Sequence, residues 1–290
     1  MNPTTVRHLP AAAAGSITLG GELTVRRMGL GAMRLTGRGI WGQPVDRAEA
    51  LRVLCRAVEQ GVNFIDTADS YGPHVAEDII AEALYPYPKD LVIATKAGLE
   101  RSGPDRWTPN GRPGYLRRQL EGSLRRLRLE RIDLWQLHRV DRAVPVDEQF
   151  GAIREFQRQG LVRLLGLSEV SVGQIEQARR TIDIASVQNR YNLTDREWEE
   201  EVEYCEREGM AFIPWFPLSA GALEESGPLA RVAARHGATV YQIALAWLLA
   251  RSPAMLVIPG TSSVSHLEEN IAAADIKLTD EDLAALNPTV

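Results

Sequence analysis

The sequence predicts a single (β/α)8 barrel, an α/β fold of the TIM-barrel class, preceded by a β-hairpin. Three observations carry that prediction. Short apolar runs of strand character alternate with helical patterns eight times, a rhythm that implies a parallel sheet closing on itself. Most of the runs stop at a polar or ionisable residue, as expected where functional groups ride on loops leaving the C-terminal ends of barrel strands. The length of 290 residues suits one such domain, and no linker or low-complexity tract divides it. Residues 1–15 read as a flexible tail and residues 16–290 as the barrel.

In order, residues 16–25 alternate around Gly20-Gly21 and read as a hairpin plugging the barrel's bottom. Residues 28–33 form the first barrel strand, followed by a Gly-rich loop (34–43) that carries Trp41. A helix over 46–60 has Asp46 as N-cap with Glu49 as its capping-box partner, and Gly61 ends it. Val62, Phe64 and Ile65 make a strand buried on both faces that stops at Asp66, and Tyr71 follows five positions later. Taken alone, that stretch reads first as a turn whose Asp and Ser bond their own backbone. A helix over 76–84 ends at Pro86 and Pro88, and the strand at 91–95 places Lys96 at its end. The loop 98–112, long for a compact domain and carrying Trp107, suggests a binding role.

Further along, a helix over 113–127 precedes a strand at 132–137 that closes at His138-Arg139. The next two strands, 162–167 and 184–187, close at Ser168-Glu169 and Gln188-Asn189. They follow helices over 147–159 and 172–180, and a helix over 196–208 comes next. Two prolines in 211–217 fit a strand entering irregular backbone. Two helices (228–236 and 241–250), an eighth strand at 255–258, a helix over 264–273 and a capping-box helix from Thr279 complete the chain.

A net charge of −5 and a pI near 5.7 give no general attraction to nucleic acid or anionic lipid. No apolar run approaches the ~20 residues that span a bilayer. The N-terminus lacks the charged and apolar segments of a secretion signal. Cys55 and Cys205 show no metal-ligand or C-x-x-C spacing. Reduced thiols and a cytoplasmic location are the expectation. Lysine occurs only at Lys89, Lys96 and Lys277 in an arginine-rich chain, which singles out Lys96 at a strand end. The arginines at 125, 126, 128 and 131 read as a solvated helix end without a function.

Asp66, Tyr71, Lys96 and His138 therefore rise around one side of the barrel mouth. A phenol is a weak acid at neutral pH unless a cation stabilises its phenolate, and a buried lysine needs a carboxylate to stay charged. His138 can donate to or orient a substrate oxygen. Metal hydrolysis is disfavoured, because only His138 of the five histidines stands at a strand end. A Schiff-base lyase would need a lysine of lowered pKa, which an adjacent Asp66 opposes.

The segments 61–72, 92–96, 133–138 and 166–168 resemble the signatures of the aldo-keto reductase family, and the similarity runs from about residue 16 to residue 286. The resemblance implies a metal-free reduction of aldehydes and ketones by a nicotinamide cofactor. In it Tyr71 gives the proton, Lys96 lowers the Tyr71 pKa, Asp66 holds Lys96, and His138 positions the carbonyl. It further implies that Ser168 and Gln188 bond the cofactor's carboxamide and that Trp215 stacks on its nicotinamide. Glu169 stands where Asn is usual, and the contact of that Asn does not carry over with it. Gly31, Met33, Asp66 and the loop Phe216, Pro217, Leu218, Ser219 border the same cofactor.

The adenosine end falls to Gly260, Thr261, Ser262, His266, Glu269 and Asn270, with phosphate favoured at a helix N-terminus. Many members carry lysine where Gly260 stands and arginine where His266 stands. The implied cofactor is NADP(H), through the Thr261 and Ser262 hydroxyls and His266, with NAD(H) as the alternative. The substrate is a small carbonyl compound, walled by Trp41, Trp107 and Arg139 beside Tyr71 and His138. Details of sequence are most similar to a bacterial branch that includes pyridoxal reductases. A nicotinamide-binding redox-sensing subunit with little turnover is the alternative from another functional class. Oligomeric state is not legible.

Overall fold

A computed structural model describes residues 9–221, 223 and 226–287. Seven parallel strands lie in the order β11-β10-β9-β8-β5-β4-β3. They are β3 (Leu30–Gly31), β4 (Phe64–Asp66), β5 (Val92–Ala97), β8 (Ile132–Leu137), β9 (Val162–Ser168), β10 (Ile184–Gln188) and β11 (Ala211–Phe212). The expected eighth strand is a segment held by isolated bridges, Phe212 with Met255 and Met28 with Val257, rather than a full ladder. Its backbone still joins both sheet edges: Leu256 N donates to Phe212 O at 2.9 Å and Val257 N to Arg27 O at 2.9 Å. Flanking Pro253 and Pro259 lack the N–H that would extend the pairing.

The hairpin β1 (Ser16–Leu19) and β2 (Leu23–Arg26) plugs the barrel as expected. Its Leu19 and Val25 share one apolar cluster with the inward residues Phe64, Val92, Leu134, Leu164 and Leu256. Outward residues Ile65, Ile93, Trp135 and Leu165 join the larger cluster against the helices. The tail expectation fails for its last part. Pro10–Ala14 is a 3-10 helix with Ala11 and Ala14 buried, because small apolar side chains pack beneath helix α9 (Val264–Ala272). Residues 1–8 lie outside the described residues.

The helices between strands are α1 (Arg47–Glu59), α2 (Val75–Leu84), α3 (Pro113–Leu127), α4 (Val146–Arg158), α5 (Val172–Arg179) and α6 (Glu199–Glu208). After β11 come α7 (Gly227–His236), α8 (Val240–Arg251), α9 and α10 (Asp280–Leu286). Asp46 caps α1 by accepting from Glu49 N at 2.8 Å, but the capping box is not closed. The Glu49 side chain instead accepts from Val264 N at 2.8 Å, at the start of α9. Nor are the arginines closing α3 all solvated. Arg126 Nε donates to the fully buried Glu77 at 2.7 Å, since a carboxylate out of water needs a cation. The loop after β5 is itself a hairpin, β6 (Leu99–Gly103) paired with β7 (Arg106–Pro109).

Among the described residues, no helix is long and apolar enough to cross a membrane.

Candidate active site

Alternation along the strands builds the site. Below the mouth the inward residues are apolar; one step of two further on they are Asp66, Lys96 and Gln136, and then His138, Ser168 and Gln188. Register brings them level, with Lys96 opposite Gln136 and Gln136 opposite Gly166. Gly166 is required there: a Cβ would stand 2.4 Å from Ser186 Oγ and 2.9 Å from Gln136 Cγ.

The Lys96 ammonium is fully buried and uses three donors, to Asp66 Oδ2 at 2.6 Å, Thr67 O at 2.8 Å and Tyr71 Oη at 3.2 Å. Burial works against its charge, yet Asp66 and Tyr71 outweigh that penalty and hold Lys96 above its ordinary value of 10.5. The other Asp66 oxygen accepts from Gln188 Nε2 at 2.9 Å and Gln136 Nε2 at 3.2 Å. For Tyr71, burial is the largest influence and raises the phenol above 10.0, although Lys96 pulls it down. The net direction is thus opposite to the one the sequence suggested, and Tyr71 is protonated at neutral pH.

His138 is held well below 6.5 by burial and by the cations Lys96, Arg139 and Arg101, so its ring is neutral. Ser70 Oγ lies 3.3 Å from His138 Nδ1. With the hydroxyl donating to Nδ1, the ring proton belongs on Nε2. Trp107 stands edge-on to Tyr71 and His138, with centroids at 6.5 and 6.3 Å. Its own face is covered by Arg101, whose Cζ is 3.5 Å from the ring centroid. Arg101 donates to Ile40 O, Ser70 O and Gly39 O at 2.8 to 2.9 Å, tying the β6–β7 hairpin over the mouth.

Two cavities meet here, of about 910 and about 870 Å³. Tyr71, Asp66, His138, Trp107 and Arg139 line the first, with Gly31, Met33, Ser168, Gln188, Trp215, Phe216 and Pro217. Thr261, His266, Glu269 and Asn270 line the second. Leu218, Gly260, Ser262 and Arg34 line both, so the two form one groove. Ser219 lines neither; its hydroxyl meets Thr194 Oγ1 at 3.2 Å. Trp41 does not line the first cavity either; its ring centroid lies 5.6 Å from the Arg101 guanidinium carbon.

The α9 N-terminus is partly spoken for, because Val264 N donates to Glu49 and Ser263 N to Thr261 Oγ1 at 3.1 Å. At Gly260 a Cβ would stand 3.0 Å from Gly31 O and 3.4 Å from Arg34 Cγ, which puts the Arg34 stem beside this glycine.

Sequence reasoning passed over Gln136, Ser70, Arg34 and Arg101. Gln136 was findable, being two residues before His138 on the same strand face; the others depend on loops meeting across the mouth. Among the described residues no group of three or more His, Cys, Asp or Glu could hold a metal ion. Cys55 is exposed on α1 and Cys205 is buried on α6, its thiol pushed up to about 12 by burial.

Residues 27–289 match the model of the aldo/keto reductase family. An uncharacterized oxidoreductase of Schizosaccharomyces pombe, C215.11c, is 50% identical over 278 residues, covering 96% of this chain and 90% of the relative. Pyridoxine 4-dehydrogenase of Escherichia coli is 43% identical, covering 95% of this chain and 98% of that one. The structure of an aldo-keto reductase from Klebsiella pneumoniae in complex with NADPH superposes with a TM-score of 0.79 at 27% identity, covering 93% of each chain. With the fold, the family model and close relatives in agreement along nearly its whole length, the chain belongs to the aldo/keto reductase family.

Proposed function

We propose that the protein reduces an aldehyde or ketone to an alcohol with NADPH, Tyr71 acting as proton donor. The observation that carries this is the buried contact series Asp66–Lys96–Tyr71, with the phenol opening onto the cavity. The continuous groove fits a dinucleotide, its walls pinched at Gly31 and Gly260 where a Cβ would strike backbone oxygens. Ser168, Gln188 and Trp215 would hold the nicotinamide end, and Arg34, Ser262 and His266 the phosphates. When bound, the cofactor supplies the hydride that reaches the carbonyl carbon.

The chain's own residues supply the rest. His138 Nε2–H and the Tyr71 hydroxyl point the carbonyl oxygen, and the developing negative charge meets donors already in place, which costs no reorganisation. Tyr71 then passes its proton to that oxygen. The resulting phenolate is stabilised by Lys96, whose charge Asp66 maintains, until solvent returns a proton. Trp107 and the hairpin exclude bulk water from the reacting atoms.

Pyridoxal is the first substrate to try, given the E. coli relative's name and its 43% identity. The test is NADPH oxidation by the wild type and by Tyr71→Phe over a panel of pyridoxal, aromatic aldehydes and ketones. Loss of the phenolic proton should lower turnover about 10²–10⁴-fold while NADPH affinity stays within about twofold. Equal turnover in the variant refutes the assignment.

A further inference from the structure

We infer that Glu169 is a positioning residue that locks the Trp215 indole as the platform for the nicotinamide, an inference resting on the cofactor site proposed above. Glu169 leaves β9 with a φ of 56°, a left-handed conformation that a non-glycine residue keeps only where its surroundings impose it. Those surroundings are specific. Its N–H donates to Gln188 O at 3.0 Å, and its Oε1 accepts from both Trp215 Nε1 at 2.5 Å and Arg190 N at 2.8 Å. Its Oε2 lies 4.0 Å from an Arg139 nitrogen, and Arg139 in turn donates to Ser168 Oγ at 3.1 Å.

Trp215 is pinned at its backbone by the segment after β10, with its N donating to Asn189 O at 3.1 Å and its O accepting from Tyr191 N at 3.3 Å. Only its two side-chain torsions remain, and the charge-assisted bond to Glu169 fixes them, such bonds being about twice as strong as neutral ones. Both donors fall on one carboxylate oxygen while the other faces Arg139. Glu169 therefore acts through the indole, holding the ring's plane against the cavity, and is no ligand for the cofactor's carboxamide. The Asn usual at this place is neutral and one carbon shorter.

The experiment is a fluorescence titration with NADPH on wild type, Glu169→Ala, Glu169→Gln, Trp215→Phe and the double variant E169A/W215F, with thermal unfolding as a check on folding. Loss of a hydrogen bond to a charged group should weaken NADPH binding by E169A about tenfold or more. E169Q, which keeps an acceptor oxygen, should stay close to wild type. In the W215F background, where no indole N–H remains, E169A should add little.

Equal affinity in wild type and E169A, or an undiminished effect of E169A in W215F, overturns the inference. A wild type that binds neither NADPH nor NADH overturns the cofactor reading itself. Should E169A not fold, the indole proton spectrum decides. The resonance missing from W215F must be shifted downfield and protected from exchange relative to a solvent-exposed indole proton, and an ordinary, fast-exchanging indole proton overturns the clamp.

Discussion

Lys96→Met tests the centre of the site most sharply. The change removes an ammonium that is 0% exposed and leaves Asp66, 2% exposed, with only the two amide donors Gln136 and Gln188. Deleting one member of a buried ion pair strands the other charge and costs roughly 3–5 kcal/mol. For a domain of this size that lowers the melting midpoint by roughly 5–15 °C. Thr67 O and the Tyr71 hydroxyl lose their donor at the same time. Turnover should fall about 10²–10⁴-fold, since Tyr71 then has no cation to stabilise its phenolate.

The double variant Asp66→Asn/Lys96→Met removes both charges, so it should recover most of the lost stability and none of the lost activity. Thermal unfolding and NADPH-linked carbonyl reduction read the two quantities separately. An unshifted midpoint in Lys96→Met would refute the buried-pair account. Joint recovery of stability and turnover in the double variant would refute the role of Lys96 in proton transfer.

Three further expectations follow from neighbouring geometry. The kcat for reduction should be flat between pH 6.5 and 10.0, because His138 takes up its proton only well below the first value and Tyr71 loses its own only above the second. Acid therefore stops the reaction by charging His138, base by ionising Tyr71, and a limb titrating inside that window would contradict both displacements. Arg101→Ala frees the Trp107 face and unties the hairpin from the carbonyls of residues 39, 40 and 70. It should raise KM for the carbonyl several-fold with NADPH affinity unchanged, and steady-state kinetics that move both equally would assign Arg101 to the cofactor instead. His266→Ala should weaken NADPH but not NADH; competitive titration of the two cofactors reads it, and parallel losses would place His266 away from the 2′-phosphate.

The barrel and the core of the site were written in local sequence. Strands 132–137 and helix 113–127 fall where the apolar periodicity puts them, because a core-facing pattern leaves one period that buries it. The same period of two lifts Asp66, Lys96 and His138 to one mouth, so their meeting was legible before any coordinate. The sequence reading missed that residues 255–258 close the barrel through single bridges, because those partners lie far along the chain. It also missed that 98–112 is a hairpin, whose pairing is local but whose seat over the mouth rests on Arg101 meeting the carbonyls of residues 39, 40 and 70.

Only tertiary structure decided the electrostatics. Burial, a property of the assembled barrel, outweighs Lys96 at Tyr71 and keeps His138 neutral. Arg34 and Glu169 likewise acquire their places from loops that meet in space: Arg34 over Gly260, and Glu169 on an indole 46 positions away. Hydrophobic periodicity is local and survives in one dimension; desolvation and contact between loops exist only once the chain has closed on itself.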